Sequence, residues 1–139
     1  MATRILVDTN VWFDVINTDP VWFDWSAGQL ERATQRGSAA INVVIYAELS
    51  VRFDRIEDFE NAIAPFSLER LTLPYQAGFL AAKAFQRFRK RAGTRAGTLP
   101  DFLIGAHAAV AKLPLLTRDP RRYSQYFPTV ELVAPEVGQ

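Results

Sequence analysis

The sequence contains no cysteine and only one histidine, His107. The absence of cysteine excludes disulfide bonds, thiolate zinc sites and a cysteine nucleophile, and it is typical of proteins of the reducing cytoplasm. No apolar stretch approaches the ~18–20 residues that span a bilayer. The first residues lead directly into a strand-like segment without the longer apolar core of a signal peptide. We therefore expect a cytoplasmic protein with no membrane partner.

The length and the charge set only broad limits on function. A chain of 139 residues is typical of one domain, and we expect a single domain over residues 1–139. The formal net charge is +1. If four acids were gathered in one pocket, the remaining surface would carry about +5, which suits a polyanion such as nucleic acid. Many proteins that bind no nucleic acid share this balance, so charge alone does not decide the function.

Strand-like and helix-like segments alternate along the chain. Short apolar strands are predicted at 4–7, 39–44, 70–73, 113–117 and 129–133. Helices are predicted at 11–16, 21–35, 46–53, 56–66, 75–91 and 100–112, the third of them with Asn42 as a candidate cap. This alternation predicts an α/β fold in which a mostly parallel sheet carries helices on both faces.

Four acidic residues lie where such a sheet would bring them together. Asp8 follows the first predicted strand and Asp119 follows the fourth, whereas Asp101 begins a helix and Glu48 lies about one turn into another. Ligands of open parallel sheets bind beyond the carboxyl ends of the strands, where the strand order reverses. All four carboxylates could therefore converge on one edge of the sheet.

Converging carboxylates favour a divalent metal ion. Like charges a few ångströms apart raise one another's pKa, and a divalent cation removes this conflict. Hard oxygen ligands favour Mg²⁺ or Mn²⁺. Such an ion can activate water for attack on a phosphodiester, which is chemistry that needs no serine, cysteine or histidine.

Each acid also has a simpler explanation. Asp8 could cap a helix, Asp101 suits a helix start, and Asp119 before Pro120 is an ordinary turn signal. Glu48 is harder to explain in this way because its neighbours are apolar, and an unpaired buried carboxylate is costly. The four acids are more informative together than separately.

Four segments hold these acids: 5–11 (ILVDTNV), 42–49 (NVVIYAEL), 99–108 (LPDFLIGAHA) and 115–119 (LLTRD). In order and spacing they resemble the PIN-domain nucleases, in particular VapC-like toxins of type II toxin–antitoxin modules. The resemblance implies an α/β/α sandwich and an Mg²⁺- or Mn²⁺-dependent endoribonuclease that leaves 5′-phosphate and 3′-hydroxyl ends. It also implies a homodimer, and a small antitoxin whose C-terminal segment blocks the active site. The substrate would be an RNA such as tRNA or rRNA, and cleavage would inhibit translation and growth.

The resemblance also assigns roles to individual residues. It implies metal coordination, directly or through water, by Asp8, Asp101 and Asp119. Glu48 would be a further ligand or would position the attacking water. Two polar residues would support the acids by hydrogen bonding: Asn10 and Thr117.

A run of basic residues precedes Asp101. Six basic residues and no acid lie between Lys83 and Pro100. We predict that some of them track RNA phosphates, together with a basic residue beside Asp119. The candidates are Arg89, Lys90, Arg91, Arg95 and Arg118, with Arg121 and Arg122 extending the second patch. The alternative is an ordinary solvated helix face followed by a loop.

The remaining conspicuous side chains favour structural roles. His107 lies six residues beyond Asp101, roughly 240° around the helix, so the two do not share a face. Several aromatic residues near the N-terminus could stack on bases, but core packing or a protein interface is the better interpretation. They are Trp12, Phe13, Trp22, Phe23 and Trp25.

Other functions fit the sequence less well. The main alternative is a non-catalytic RNA- or protein-binding PIN-like module. A phosphatase of the haloacid dehalogenase type would have a second aspartate where Asn10 stands, and a phospho-receiver domain would place its acceptor aspartate after a middle strand. A DNA-cutting relative would share the metal chemistry, and only a comparison of substrates would separate it.

Overall fold

Five short strands form the centre of the structure, a computed structural model that describes residues 3–92 and 99–136. The strands are β1 (Thr3–Val7), β2 (Gly37–Ile41), β3 (Glu69–Arg70), β4 (Leu115–Leu116) and β5 (Leu132–Val133). They lie in the order β3-β2-β1-β4-β5, and every strand pairing in the described ranges is parallel. The predicted parallel sheet is therefore confirmed.

Seven α-helices flank the sheet in the described ranges. They are α1 (Thr9–Ile16), α2 (Phe23–Arg36), α3 (Val43–Ser50), α4 (Ile56–Ile63), α5 (Tyr75–Ala92), α6 (Leu99–Ala111) and α7 (Arg121–Tyr126). Parallel strands are joined by right-handed crossovers. In this strand order such crossovers place α1 to α4 on one face and α5 to α7 on the other, which gives the expected α/β/α layers. No helix in the described part of the chain is both long enough and apolar enough to cross a bilayer.

The start of α3 corrects the predicted end of the second strand. The sequence predicts a strand that reaches Val44, and β-branched residues such as Val43 and Val44 favour strands. The strand instead ends at Ile41, and the side chain of Asn42 accepts a hydrogen bond from the Ile45 N–H at 3.0 Å. Asn42 therefore caps the helix, and Val43 and Val44 are helical.

The structure also differs from the prediction at the helix over 56–66 and in the segment after Asp119. The helix predicted over 56–66 ends at Ile63 and continues as a 3₁₀ turn, Ala64–Phe66, because Pro65 cannot donate a helical hydrogen bond. Helix α7 was not predicted at all. Its signal was present, since Tyr123, Tyr126 and Phe127 have helical spacing and are buried.

The core explains most of the N-terminal aromatic residues. Trp12 is fully buried, donates its indole N–H to the Val7 carbonyl at 3.1 Å and packs edge-on against Phe66. Trp22 and Trp25 pack edge-on against each other. Trp12 lies in the core, and Phe13 and Trp25 are partly buried and pack against it, which agrees with the interpretation as packing residues. Phe13 also lines the pocket described below.

A glycine allows α6 and α7 to lie close together. A Cβ at Gly105 would stand 2.5 Å from ring carbons of Phe127 and 3.0 Å from the Tyr123 ring. The distance of 2.5 Å is shorter than real Cβ contacts, so with a larger residue at position 105 the Phe127 ring would have to shift. Because Tyr123 also reaches the acidic pocket, this close approach positions part of the candidate site.

Candidate active site

The candidate site lies at the point where the strand order reverses. Strands β1 and β4 are neighbours in the sheet. From β1 the chain continues towards β2 on one side, and from β4 it continues towards β5 on the other side. Asp8 follows β1, and its N–H donates to the carbonyl of Leu116 at the end of β4. Thr117, the next residue after β4, donates its hydroxyl to Asp8 Oδ2 at 2.8 Å. Both residues therefore stand in the crevice where ligands of open parallel sheets bind.

Asp8 is fixed by donors on both carboxylate oxygens. The N–H of Thr9 donates to Oδ1 at 2.8 Å, as expected when an aspartate caps a helix. On the opposite oxygen, Tyr123 donates its hydroxyl to Oδ2 at 3.0 Å, beside the Thr117 hydroxyl. The Asn10 amide lies 3.5 Å from Oδ2 and 3.4 Å from the Thr117 hydroxyl oxygen. Capping and a functional role are therefore compatible in Asp8.

Burial makes the charge of Asp8 costly. Its side chain is 6% exposed, and burial raises the pKa of Asp8 to about 6, against the lowering effect of its hydrogen bonds. The negative charge of Asp101 raises this pKa further. A cation in the pocket would favour the ionised form, because an opposite charge within a few ångströms lowers the pKa of a carboxyl group.

Glu48 reaches the same pocket from α3. The hydroxyl of Thr9 donates to Glu48 Oε1 at 2.6 Å, so α1 and α3 are joined beside Asp8. Burial raises the pKa of Glu48, and the charge of Asp101 adds to this effect. Glu48 is half-buried, and Thr9 supplies one hydrogen-bond partner for its carboxylate.

Asp101 and Asp119 complete the set of acids. All four predicted acids line one open pocket of about 510 Å³. Arg122 donates to Asp101 Oδ2 at 2.6 Å, and the Asp119 N–H donates to the Thr117 hydroxyl at 3.1 Å. The pocket therefore gathers four carboxylates from separate parts of the chain, and Arg122 forms an ion pair with one of them, Asp101.

The donors fit a divalent ion that is bound partly through water. No three aspartate, glutamate or histidine side chains among the described residues are arranged to hold a metal ion between them. Mg²⁺ does not need such a cage, because it commonly keeps several waters and uses one or two carboxylates together with substrate phosphates. The carboxylate oxygens of the pocket are the hard ligands that this ion prefers.

Comparison with protein-family models matches the PIN domain to residues 5–127 of the chain. This chain belongs to the PIN-domain family. The resemblance drawn from the sequence motifs is thereby confirmed, and domains of this family are typically nucleases that bind divalent metal ions. No curated protein matches the sequence.

Solved structures show the same fold. A chain of VapBC2 from Rickettsia felis bound to a DNA fragment from their promoter is 21% identical, with a TM-score of 0.72 over 96% of this chain and 100% of that one. A chain of DNA-bound VapBC from Salmonella typhimurium is 22% identical, with a TM-score of 0.66 over 96% and 98% of the two chains. VapBC-1 from nontypeable Haemophilus influenzae is 19% identical, with a TM-score of 0.68 over 95% and 98%. The PIN domain therefore shares its fold with chains of toxin–antitoxin complexes.

Helix α7 brings Tyr123 to Asp8 and Arg122 to Asp101, and its Tyr126 also lines the pocket. The sequence singled out Arg122 only as part of a basic patch, and it gave no sign of Tyr123 or Tyr126 as pocket residues. Burial and the nearby charge of Asp8 raise the pKa of Tyr123 well above its usual value, so its hydroxyl keeps the proton that it donates. The helical spacing of its aromatic residues could have predicted α7, but not the direction of the Arg122 side chain.

The structure gives Arg118 a set of contacts within the protein. Its guanidinium donates to both oxygens of Asp14, from Nε at 2.8 Å and from a terminal nitrogen at 3.0 Å, and it lies over the Trp22 ring. Asp14 is 2% exposed and also accepts from Ser26. The Arg118 N–H donates to Asn10 Oδ1 at 3.3 Å. These contacts fix the loop between Thr117 and Asp119 against α1.

The other RNA-contact candidates have different placements. Arg89, Lys90 and Arg91 are exposed in the last turn of α5, where basic residues also favour the helix dipole. Arg95 lies outside the described residues. Phe88 of the same helix lines the acidic pocket, so the exposed basic turn adjoins the site. Their contact with RNA stays a prediction.

His107 is placed away from the acidic pocket. It is buried, and the Asn42 amide lies 2.9 Å from its Nδ1. Because the Asn42 carbonyl oxygen caps α3, its NH₂ is the donor and His107 Nδ1 the acceptor. Burial lowers the pKa of His107, which favours this neutral form. The geometry fits the structural role inferred from the sequence.

Proposed function

We propose that this PIN domain is a metal-dependent endoribonuclease and the toxin of a type II toxin–antitoxin pair. The proposal is carried by the convergence of four acids, from four places in the sequence, on one pocket at the switch point of the sheet. Such a pocket is costly for the fold, because burial raises the pKa of two of these acids, Asp8 and Glu48. A structural role alone does not explain why the four acids meet there.

Asp8, Asp101 and Asp119 would hold Mg²⁺ or Mn²⁺, directly or through water. When bound, the ion supplies a Lewis acid for the phosphate and lowers the pKa of water. Glu48 would orient the attacking water and accept its proton, since a carboxylate with a raised pKa is a better base near neutral pH. Water would attack phosphorus and the bond to the 3′ oxygen would break, which leaves a 5′-phosphate and a 3′-hydroxyl.

The fold comparisons support a protein partner of this domain. Solved structures with the same fold include chains of VapBC complexes. We therefore propose a small cognate antitoxin as a partner, a homodimeric nuclease, and an RNA substrate such as tRNA or rRNA in the cytoplasm. Cleavage of either RNA would inhibit translation and growth.

Cleavage of a panel of tRNAs and rRNA fragments tests this function. We expect discrete cuts with Mg²⁺ or Mn²⁺, none with EDTA, and products that a 5′-phosphate-dependent exonuclease degrades. Asp101→Asn, purified identically, should be inactive. Cutting that persists in this variant would indicate a contaminating nuclease or a wrong site, and absence of cutting with any metal would favour a non-catalytic binding module. Preferential cutting of DNA would reassign the substrate.

The basic turn at the end of α5 gives a prediction about salt. If Arg89, Lys90 and Arg91 contact phosphates, replacing all three with alanine should reduce the slope of log affinity against log salt by about 2 for single-stranded RNA. The measurement is RNA binding by Asp101→Asn protein at several salt concentrations. A triple variant of Arg32, Arg36 and Arg55, which are exposed elsewhere, removes equal charge as a control. Equal slopes in both triple variants would remove the α5 turn from the RNA interface.

A further inference from the structure

The pocket contains a cation of its own, the guanidinium of Arg122. It donates to Asp101 Oδ2 at 2.6 Å, and both side chains are about one-third exposed. The guanidinium also lies over two aromatic rings, 4.9 Å from the Phe88 centroid and 5.7 Å from that of Phe102. These rings belong to α5 and α6, so contacts independent of Asp101 hold the charge at the rim of the pocket.

We propose that Arg122 is a resident counter-ion that competes with the metal for Asp101 and then binds the substrate phosphate. The inference rests on the function proposed above. A carboxylate that is bonded to an arginine at 2.6 Å offers less electron density to a metal ion, so metal binding and this ion pair oppose each other. An arginine released from Asp101 would remain over Phe88 and Phe102, where its planar donors suit a phosphate.

The proposal predicts opposite effects on two measured quantities. Removing the charge at Arg122 should strengthen Mn²⁺ binding by about 2- to 5-fold, the range expected for one partly exposed ion pair. The same change should lower kcat/KM for RNA by about 100-fold or more, as the loss of one charge-stabilising donor does. If Arg122 had only a structural role, its replacement would lower both the affinity for Mn²⁺ and the rate of RNA cleavage.

Calorimetric titration with Mn²⁺ at pH 7.5, followed by RNA cleavage, tests the proposal. Arg122→Ala and Arg122→Gln are both used, because the longer glutamine preserves more of the packing against the rings. Arg32→Ala is the control for metal affinity, since Arg32 is exposed on α2, outside the lining of the pocket, and carries the same charge. Tighter Mn²⁺ binding in both Arg122 variants, but not in Arg32→Ala, together with reduced cleavage, is the expected result.

The alternative outcomes separate the two proposals. Unchanged or weaker Mn²⁺ binding in both Arg122 variants would overturn the counter-ion role while leaving the nuclease intact. Tighter binding with full cleavage would overturn the phosphate-binding role. Wild-type protein that neither binds Mn²⁺ nor cuts RNA would overturn the proposed function, and this inference with it.

Discussion

Asp8→Asn is expected to stabilise the fold above pH 7 while abolishing RNA cleavage. Burial raises the pKa of Asp8 from 3.8 to about 6, which corresponds to a cost of about 3 kcal/mol for keeping the carboxylate ionised. The oxygen of an asparagine side chain can still cap α1. Its NH₂ can donate to the hydroxyls of Thr117 and Tyr123, which now donate to Asp8 and would become acceptors. Without a carboxylate, metal affinity should fall by more than about 100-fold, the upper range for lost supporting contacts.

The stability gain should depend on pH with a defined sign. The folded pKa of Asp8 is raised, so the folded state binds the proton more tightly than the unfolded state does. Protonated Asp8 therefore contributes to the free energy of unfolding. This contribution is fully present below about pH 4 and is lost as the pH rises through about 6. Urea unfolding with EDTA should therefore show a difference between variant and wild type that grows from pH 4 to pH 7.

A matched surface variant identifies the cause of this effect. Asp54→Asn changes an exposed aspartate in the same way and should alter the free energy of unfolding by less than about 0.5 kcal/mol at either pH. A destabilised Asp8→Asn protein at pH 7.5 would show that the hydrogen bonds of the carboxylate outweigh its desolvation. A variant that still cleaves RNA at the wild-type rate would remove Asp8 from the site.

Arg118→Ala is expected to destabilise the protein by about 3 kcal/mol, because it leaves the carboxylate of Asp14 buried without its cation. Only the hydrogen bond from Ser26 would remain among its described side-chain contacts. The double variant Asp14→Asn with Arg118→Ala should recover part of this loss, since the buried charge is then absent. Arg4→Ala breaks an exposed ion pair with Glu69 and should cost less than about 1 kcal/mol.

The same variant separates two roles of Arg118. If Arg118 positions the loop between Thr117 and Asp119, its loss should lower both the free energy of unfolding and the affinity for Mn²⁺. If it contacts RNA phosphates instead, as the sequence motif suggested, stability should be preserved and only RNA affinity should fall. A stable Arg118→Ala protein with normal Mn²⁺ affinity would contradict the positioning role.

The sequence predicts the sheet well because its strands have local signals. Strands β1, β4 and β5 lie in short apolar segments, and β1 ends at Val7, directly before the helix-capping Asp8. Strand β3 is instead the polar pair Glu69–Arg70. Strand ends were predicted less well where capping competes with β-propensity. Val43 and Val44 favour a strand, but the Asn42 side chain satisfies a free N–H of α3 and starts the helix.

The site could be predicted only in part, for a similar reason. Position along the chain was sufficient to place Asp8 and Asp119 at the carboxyl ends of strands, and an apolar surrounding singled out Glu48. Arg122 and Arg118 could not be separated in this way, because both are arginines near Asp119. Tertiary contacts direct one to Asp101 and the other to Asp14. Which carboxylate an arginine contacts depends on the tertiary structure, and the spacing of residues along the chain does not determine it.

Binding of a divalent metal ion by the acidic pocket can be measured directly. Wild-type protein and Asp8→Asn are titrated calorimetrically with Mn²⁺ at pH 7.5. We expect saturable binding by the wild type and none by the variant. Binding by the wild type should weaken as the pH falls below about 6, because Asp8 must lose its proton to bind the metal ion. Equal binding by the two proteins, or no binding by the wild type, would contradict the account.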